Sequence, residues 1–251
     1  MKLLSIGNSF SQDAQYWLHR MAVLSGAELE TVNLVIGGCS LETHCAHIHD
    51  GEAAYCLECN GVSTGRMVTL EEGLLLDAFD VITLQQASHF SGRPQTYLPY
   101  LPELAAFCRK KQPDAVLYFH QTWAYNSDTI HGAFGVYNHD QQEMFRRIQD
   151  CSALASGLIG APLLPVGEVI QTLRETVPEF AYENGGRSLC VEDGFHLSTD
   201  YGRFSAAAVW FRVLTGRLPV TVGYEGLEPA LLEKIIAVVD QVVGKYYEDK
   251  A

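Results

Sequence analysis

Short apolar segments alternate with amphipathic segments along most of the chain. Five apolar runs predict strands at residues 2–6, 29–36, 80–84, 115–119 and 162–166. Apolar positions at helical spacing predict helices at residues 13–24, 70–78, 97–111, 140–158, 166–175, 201–214 and 229–246. Strands that alternate with helices are typical of a mostly parallel sheet with helices on both faces. We therefore predict an α/β fold, a three-layer α/β/α sandwich around a sheet of about five strands.

Residues 40–79 show the least regular pattern. They contain a stretch rich in His and Cys and a Gly-rich turn near residues 60–65, and only their last part predicts a helix. No Pro-, Ser- or Gly-rich linker interrupts the chain. We therefore predict one domain over residues 1–251.

Composition and charge argue against nucleic acid and membranes as binding partners. The chain has 251 residues, of which 47% are hydrophobic, and a formal net charge of -13, so it lacks the basic surface that binds nucleic acid. No apolar run reaches the roughly 18 to 20 residues that span a membrane, and the first segment turns to Gly7 and Asn8 too early for a secretory signal. Seven cysteines, an odd number, are typical of reduced intracellular thiols. We expect a cytoplasmic protein without structural disulfides, and no nucleic-acid or membrane partner.

A serine follows the first predicted strand, where the carboxyl ends of parallel strands form a crevice. Ser9 lies in the segment Gly7-Asn8-Ser9-Phe10-Ser11, between a strand and a helix, and can present its hydroxyl at the edge of the sheet. This position makes Ser9 a candidate nucleophile. Capping of the helix by Ser9 and Ser11 explains the same residues equally well.

A serine nucleophile needs a histidine that is oriented by a carboxylate. Two pairs have the spacing Asp-x-x-His, namely Asp193 with His196 and Asp128 with His131. The first pair lies in a Gly-containing loop just before a predicted helix, and the second lies in a polar loop. We favour Asp193 and His196, because their loop can return the side chains to the strand ends.

Ester hydrolysis also requires hydrogen-bond donors for the oxyanion. The candidates are the N–H of Ser9, an N–H at Gly37-Gly38 and a side-chain amide of Gln85 or Gln86. Taken singly, the two glycines fit an ordinary tight turn and the two glutamines fit a solvated strand end. Their placement after successive strands is what favours an oxyanion site.

Five segments resemble a known family, at residues 6–13, 37–41, 84–88, 120–125 and 193–198. All of them except residues 120–125 are similar in order and spacing to the four motif blocks of the SGNH (GDSL-like) hydrolase superfamily. The longer strings resemble a branch that is catalogued only as a domain of unknown function. The resemblance covers nearly the whole chain and implies a flavodoxin-like sandwich.

The resemblance also implies a role for individual residues. Ser9 would be the nucleophile, His196 the general base and Asp193 the residue that orients His196. The oxyanion donors would be the N–H groups of Ser9 and Gly38 together with a side-chain amide.

Two positions depart from the pattern of the superfamily. Gln85-Gln86 stands where the third motif normally has Asn, so the amide chemistry is retained but its position does not follow. We rank Gln86 slightly ahead of Gln85 as the donor. Asn8 stands where an Asp is usual in the first motif, and this change leaves the nucleophile in place.

Polar and aromatic residues near the strand ends are candidates for contact with substrate. They are Asn8 after the first strand and His120, Gln121 and Trp123 after the fourth. An aromatic floor with amide and imidazole groups suits a sugar ring or its ester. Equally, Trp123 and Tyr125 can be buried beneath the long loop that follows them.

These observations predict a serine esterase that hydrolyses small acyl esters of the acetyl type through an acyl-enzyme, without a cofactor. An acylated carbohydrate is the substrate class that the resemblance and the aromatic loop favour. Two alternatives remain open. Residues 7–11 could hold a phosphate or nucleotide at the helix N-terminus, or the chain could bind sugar without turnover. The oligomeric state is left open.

A cluster of His and Cys residues has the chemistry of zinc ligands. Six such residues occur between positions 44 and 59, namely His44, Cys45, His47, His49, Cys56 and Cys59. The histidines crowd at spacings that cannot all direct their rings to one ion. We therefore predict buried thiols and surface histidines here and no metal site.

Overall fold

Seven strands form one hydrogen-bonded sheet in the computed structural model, which describes residues 1–247. Residues 248–251 of the predicted domain lie outside the described residues. The strand order is β4-β3-β2-β1-β5-β6-β7. The bounds are Lys2–Gly7 (β1), Glu30–Val35 (β2), Tyr55–Cys59 (β3), Val62–Val68 (β4), Val81–Leu84 (β5), Val116–His120 (β6) and Leu163–Leu164 (β7).

The five predicted strands are the parallel part of this sheet. β2, β1, β5, β6 and β7 pair in parallel, with Leu4 of β1 opposite Val32 on one side and Ile82 on the other. The α/β class and the mostly parallel sheet are confirmed. The predicted number of strands is wrong, because β3 and β4 add an antiparallel hairpin beyond β2.

The hairpin escaped prediction because its outer strand has no apolar face. Six of the seven residues of β4 are exposed, so its sequence carries no periodic burial signal. The turn at Asn60 and Gly61 takes left-handed backbone angles, with φ of 52° and 77°. Asn-Gly is the pair that two-residue hairpin turns favour, and this was the available signal.

Nine helices among the described residues cover the two faces of the sheet. They are α1 (Ser9–Gln15), α2 (Leu18–Leu24), α3 (Leu41–Asp50), α4 (Leu70–Leu74), α5 (Tyr100–Lys111), α6 (Gln141–Ile159), α7 (Val166–Thr176), α8 (Tyr201–Thr215) and α9 (Pro229–Tyr247). The single helix predicted at residues 13–24 is two helices, α1 and α2, and the first of them begins at Ser9.

The core has two apolar clusters, one on each face of the sheet. Leu3 belongs to the cluster that includes residues of α1, α2, α7, α8 and α9, whereas Leu4 belongs to the cluster that includes residues of α3, α4 and α5. Neighbouring residues of a strand point to opposite faces, so β1 contributes to both clusters. All seven cysteines are free thiols. Within residues 1–247, no helix is long and apolar enough to cross a membrane.

Gly167, in the first turn of α7, shows how closely the elements pack at the carboxyl edge of the sheet. A Cβ atom at Gly167 would lie 2.1 Å from the backbone oxygen of Thr122, in the segment that follows β6. A Cβ atom at Gly157, on α6, would meet no atom within 4 Å. A methyl group at Gly167 would therefore clash with the backbone, whereas one at Gly157 would lie in open space.

We expect Gly167→Ala to lower the free energy of unfolding by about 1–3 kcal/mol, because the backbone must shift to admit the methyl group. Gly157→Ala is the matched control and should raise it by about 0.5–1 kcal/mol, since alanine loses less backbone entropy in a helix. Urea unfolding followed by circular dichroism measures both values. Equal effects of the two substitutions would contradict the packing described here.

Candidate active site

Ser9 is the first residue of α1, and Asn8 caps that helix. The side-chain oxygen of Asn8 accepts a hydrogen bond from Phe10 N–H at 3.0 Å. The backbone oxygen of Asn8 accepts from Ser11 N–H at 3.0 Å and from Gln12 N–H at 3.3 Å. The N–H of Ser9 has no hydrogen-bond partner within the described chain. The first turn of α1 thus leaves one N–H free beside the Ser9 hydroxyl.

Ser9, His196 and Asp193 form a continuous hydrogen-bonded chain. Ser9 Oγ lies 2.8 Å from His196 Nε2, and His196 Nδ1 lies 2.7 Å from Asp193 Oδ2. Ser9 and the two partners are each partly exposed, so the chain opens to solvent. This is the arrangement in which a histidine can take a proton from a serine hydroxyl while a carboxylate orients the ring.

A tight turn brings Asp193 and His196 together. The second carboxylate oxygen, Oδ1 of Asp193, accepts from the N–H groups of Phe195 and His196, both at 2.9 Å. Gly194 has a φ of 76°, a left-handed conformation that favours glycine. Cys190 pairs with Leu197 across the turn as an isolated antiparallel bridge. The Asp-x-x-His spacing therefore places the Asp193 carboxylate within hydrogen-bond distance of the His196 ring.

The loop between β6 and α6 holds this turn in place. Trp123 Nε1 donates to Phe195 O at 2.7 Å, and Asn126 N donates to Gly194 O at 2.7 Å. Thr129 Oγ1 donates to Asp193 O, also at 2.7 Å. Three successive carbonyl groups of the turn are thereby bound, so the turn cannot rotate away from Ser9 without breaking these hydrogen bonds.

The hydrogen bonds to Asp193 determine its protonation. Burial alone would raise the pKa of Asp193, but the two backbone N–H groups and the His196 ring outweigh burial and hold the pKa below its ordinary value. Asp193 is therefore ionised at neutral pH. An ionised carboxylate only accepts, so His196 Nδ1 carries the proton and His196 Nε2 is free to accept from Ser9 Oγ.

A second carboxylate joins the nucleophile helix to the histidine loop. Asp13 lies one turn after Ser9 on α1 and is 1% exposed. Its Oδ2 accepts from Leu197 N–H at 2.8 Å, and its Oδ1 lies 2.9 Å from Arg203 Nε of α8. Burial raises the pKa of Asp13 to about 6, although Arg203 and Leu197 N–H lower it.

The two glutamine amides predicted as oxyanion donors form hydrogen bonds with other residues of the chain. Gln86 Nε2 donates to the backbone and side-chain oxygens of Thr96, at 3.0 and 3.1 Å. Gln85 Nε2 donates to Asn8 Oδ1 at 2.6 Å. Both N–H groups of the Gln86 amide are therefore bound, whereas the Gln85 amide uses one of its two N–H groups and is 2% exposed. The N–H of Gly38, like that of Ser9, has no partner within residues 1–247.

The four residues expected to contact substrate lie beneath the surface. Asn8, His120, Gln121 and Trp123 are each at most 1% exposed. Burial lowers the pKa of His120 to about 3, so its ring is neutral, and Gln121 Oε1 accepts from the N–H of Glu168 at the start of α7. At this burial none of the four side chains offers a surface to solvent, and their contact with substrate stays a prediction.

The second Asp-x-x-His pair does not assemble. Asp128 accepts from the hydroxyl of Tyr182 at 2.6 Å, whereas His131 Nδ1 accepts from Ala133 N–H at 3.2 Å. The ring of His131 packs edge-on against Phe195, with centroids 4.9 Å apart. Asp128 and His131 therefore hold their loop beside the turn that carries His196.

The His and Cys residues between positions 44 and 59 scatter over two elements. His44 is fully buried on α3, and its Nδ1 lies 2.8 Å from the hydroxyl of Tyr55. Cys59 is exposed at the end of β3, whereas Cys56 lies beside the hydroxyl of Ser63 at 3.4 Å. In the described residues, the three groups close enough to share an ion are His47, Asp50 and Glu52, without a cysteine.

A cavity of about 520 Å³ opens beside the nucleophile. Ser9 and His196 lie in its wall, together with Gln12, Asp13, Tyr16, Glu58, Gly61, Val191 and Arg203. Most of these residues were not predicted as site residues. Glu58 and Gly61 belong to the unpredicted hairpin of β3 and β4, and Tyr16 and Arg203 lie far apart in sequence, so no local motif marks them. The Asn60-Gly61 turn was the one available signal.

Comparison with known proteins assigns the chain to a family. The sequence profile of the family described as domain of unknown function DUF4886 matches residues 2–227. The crystal structure of a DUF4886 family protein from Bacteroides uniformis is similar over 97% of this chain and 94% of that chain, with 34% identity and a TM-score of 0.88. Comparison with curated protein sequences gave no significant match.

More distant solved structures share the fold alone. A protein from Slackia heliotrinireducens, classed provisionally as an SGNH hydrolase, is 22% identical, with a TM-score of 0.58, over 85% of this chain and 98% of that chain. An acetylxylan esterase from Geobacillus stearothermophilus is 9% identical, with a TM-score of 0.50, over 90% of this chain and 96% of that chain. The chain thus belongs to the DUF4886 family, and its fold is that of the SGNH/GDSL-like hydrolases.

Proposed function

We propose that this protein is a serine ester hydrolase that acts on small acyl esters. The observation that carries the proposal is the chain of hydrogen bonds from Ser9 Oγ through His196 to the ionised Asp193. Both contacts have the length that proton transfer along such a chain requires. The fold that this chain shares with an acetylxylan esterase gives further support.

The proposed reaction follows from the positions of these groups. Ser9 Oγ attacks the ester carbonyl while His196 Nε2 accepts the hydroxyl proton, and the Asp193 carboxylate stabilises the imidazolium that forms. His196 then delivers the proton to the leaving alcohol, which leaves an acyl group on Ser9. Water repeats the two proton transfers in the second half, and the acid is released.

Stabilisation of the oxyanion requires N–H groups that are not already bound within the chain. The N–H groups of Ser9 and Gly38 are unpartnered within the described chain, whereas both N–H groups of the Gln86 amide are bound and the Gln85 amide is buried beside Asn8. We therefore assign the donor role to the two backbone groups. Asn8 Nδ2 donates to Cys39 O at 3.1 Å and ties the Gly38 loop to the start of α1.

The alternative of a phosphate or nucleotide site at the start of α1 has less support. A phosphate cradle needs several free N–H groups in the first turn of a helix. Here Asn8 binds the N–H groups of Phe10, Ser11 and Gln12, and the Ser9 N–H is the one left free in the turn. A phosphate site would also leave His196 and Asp193 without a function.

We expect Ser9→Ala to abolish hydrolysis of p-nitrophenyl acetate and labelling by a fluorophosphonate probe, and His196→Ala and Asp193→Asn to lower kcat by at least about 10³-fold. Ser11→Ala is the matched control on the same helix, because its hydroxyl lies within hydrogen-bond distance of Asn8 O and Asn33 Oδ1, at 2.7 and 2.9 Å. It should keep the labelling. Wild-type protein that neither labels nor hydrolyses would overturn the proposed function.

The buried carboxyl of Asp13 predicts a pH-dependent stability. Its pKa rises from 3.8 in the unfolded chain to about 6 in the fold, so the folded state binds more protons between these values. The contribution of Asp13 to stability therefore falls as pH rises through this window, and the cost persists above it. The total is on the order of 2–3 kcal/mol.

Asp13→Asn removes this titration. We expect the free energy of unfolding of the variant, relative to wild type, to increase between pH 4 and pH 7, by on the order of 2–3 kcal/mol. Urea unfolding at four pH values in this range measures the difference. A difference that stays flat or falls with pH would show that the buried carboxyl is ionised throughout.

A further inference from the structure

The cavity beside Ser9 contains an arginine whose hydrogen-bonding capacity is only partly used. Arg203 is the third residue of α8, and its Nε lies 2.9 Å from Asp13 Oδ1. Its guanidinium carbon lies 4.8 Å from the centre of the Tyr16 ring, which supports the group from one side. The two terminal nitrogens have no hydrogen-bond partner within residues 1–247. They are unoccupied donors in the cavity wall.

Glu58 supplies acceptors to the same cavity. Glu58 of β3 is 8% exposed, and its two carboxylate oxygens accept from Gln12 Nε2 at 2.6 Å and from Asn33 Nδ2 at 3.1 Å. These bonds hold the carboxylate in place and leave further lone pairs on each oxygen. The lining of the cavity next to Ser9 therefore includes donors on α8 and acceptors on β3 that are held in place.

The charges in the wall exclude two classes of ligand. Asp13 and Glu58 bring two formal negative charges against the single positive charge of Arg203, so an anionic group would meet net repulsion. A fatty acyl chain would strip water from the same charged groups without replacing their hydrogen bonds, which is costly. A neutral group with several hydroxyls suits both kinds of side chain, because a hydroxyl can accept from Arg203 and a hydroxyl can donate to Glu58.

We propose that this cavity is the subsite for the alcohol part of the ester, and that Arg203 selects an alcohol carrying several neutral hydroxyls, such as a sugar ring. The inference rests on the proposed hydrolase function. A volume of about 520 Å³ lies within the range of small-ligand sites, about 300–1,000 Å³, and far exceeds the needs of an acetyl group. Arg203 is then a specificity-determining residue, held by Asp13 on the helix that begins with Ser9.

The test compares two acetyl esters that differ only in the hydroxyls of the ring. Methyl glucoside acetylated on its primary hydroxyl carries a hydroxylated ring, and cyclohexylmethyl acetate carries a ring of the same size without hydroxyls. Each kcat/KM is divided by the rate of alkaline hydrolysis of that ester. We expect wild type to prefer the sugar ester at least about tenfold, because a site built to bind hydroxyls rejects an analogue that lacks them.

Two substitutions of Arg203 distinguish a loss of substrate preference from a loss of folding. Arg203→Gln and Arg203→Lys should both reduce the preference to about threefold or less, since neither offers the planar pair of terminal nitrogens. Arg203→Lys keeps a cation for Asp13, so it carries the test if the glutamine variant does not fold. Arg20→Gln is the matched control, because Arg20 lies over Trp17 on the neighbouring helix and is not in the cavity wall.

The outcomes distinguish the subsite from the hydrolase function. A wild-type preference near one, or a preference unchanged in Arg203→Lys, overturns the subsite even if Ser9 labels and turns over. If no ester is hydrolysed, binding of the sugar ester to Ser9→Ala, followed by ligand-observed NMR, decides the subsite alone. Affinity at least threefold weaker in Ser9→Ala with Arg203→Lys supports the subsite, and equal affinity or no binding overturns it.

Discussion

The hydrogen bond between Ser9 Oγ and His196 Nε2 is the contact on which the site depends. It joins residues 187 positions apart in the sequence, so its length is set by how α1 packs against the loop before α8. Asp13 fixes that distance from the side of α1, because its buried carboxylate binds Leu197 N–H and Arg203 together. Burial of the same carboxylate lowers the free energy of unfolding at neutral pH, since it raises the pKa of Asp13 to about 6. Stability is thus exchanged for a fixed geometry.

The residues around this contact divide into those that can act and those that support them. Ser9, His196 and Asp193 are partly exposed at the carboxyl edge of the sheet. Trp123 and Asn126 are buried and hold the backbone of the histidine turn. His120 is neutral and packs edge-on against Trp210, with ring centroids 5.0 Å apart. The residue type alone does not separate the reacting residues from the supporting ones, because an imidazole belongs to the first set at His196 and to the second at His120.

The antiparallel hairpin of β3 and β4 connects the fold to the proposed specificity. It extends the parallel sheet beyond β2 and brings Glu58 and Gly61 to the wall of the cavity beside Ser9. Gly61 lies close to α1, since a Cβ atom there would meet the backbone oxygen of Gln15 at 3.4 Å. A segment with little apolar pattern therefore shapes the space next to the nucleophile, which is where loops and edges of α/β folds differ most.

The sequence by itself determined the alternation of strands and helices, the order of the five parallel strands along the chain and the pairing of Asp193 with His196. These features depend on local periodicity and short spacing, which a sequence displays directly. Only the tertiary structure decided that Gln86 Nε2 donates to Thr96, that Trp123 is buried, and that Arg203 lies beside Ser9. Burial and long-range contacts depend on how distant elements pack, and the pattern of one segment carries no information about the segment that will cover it.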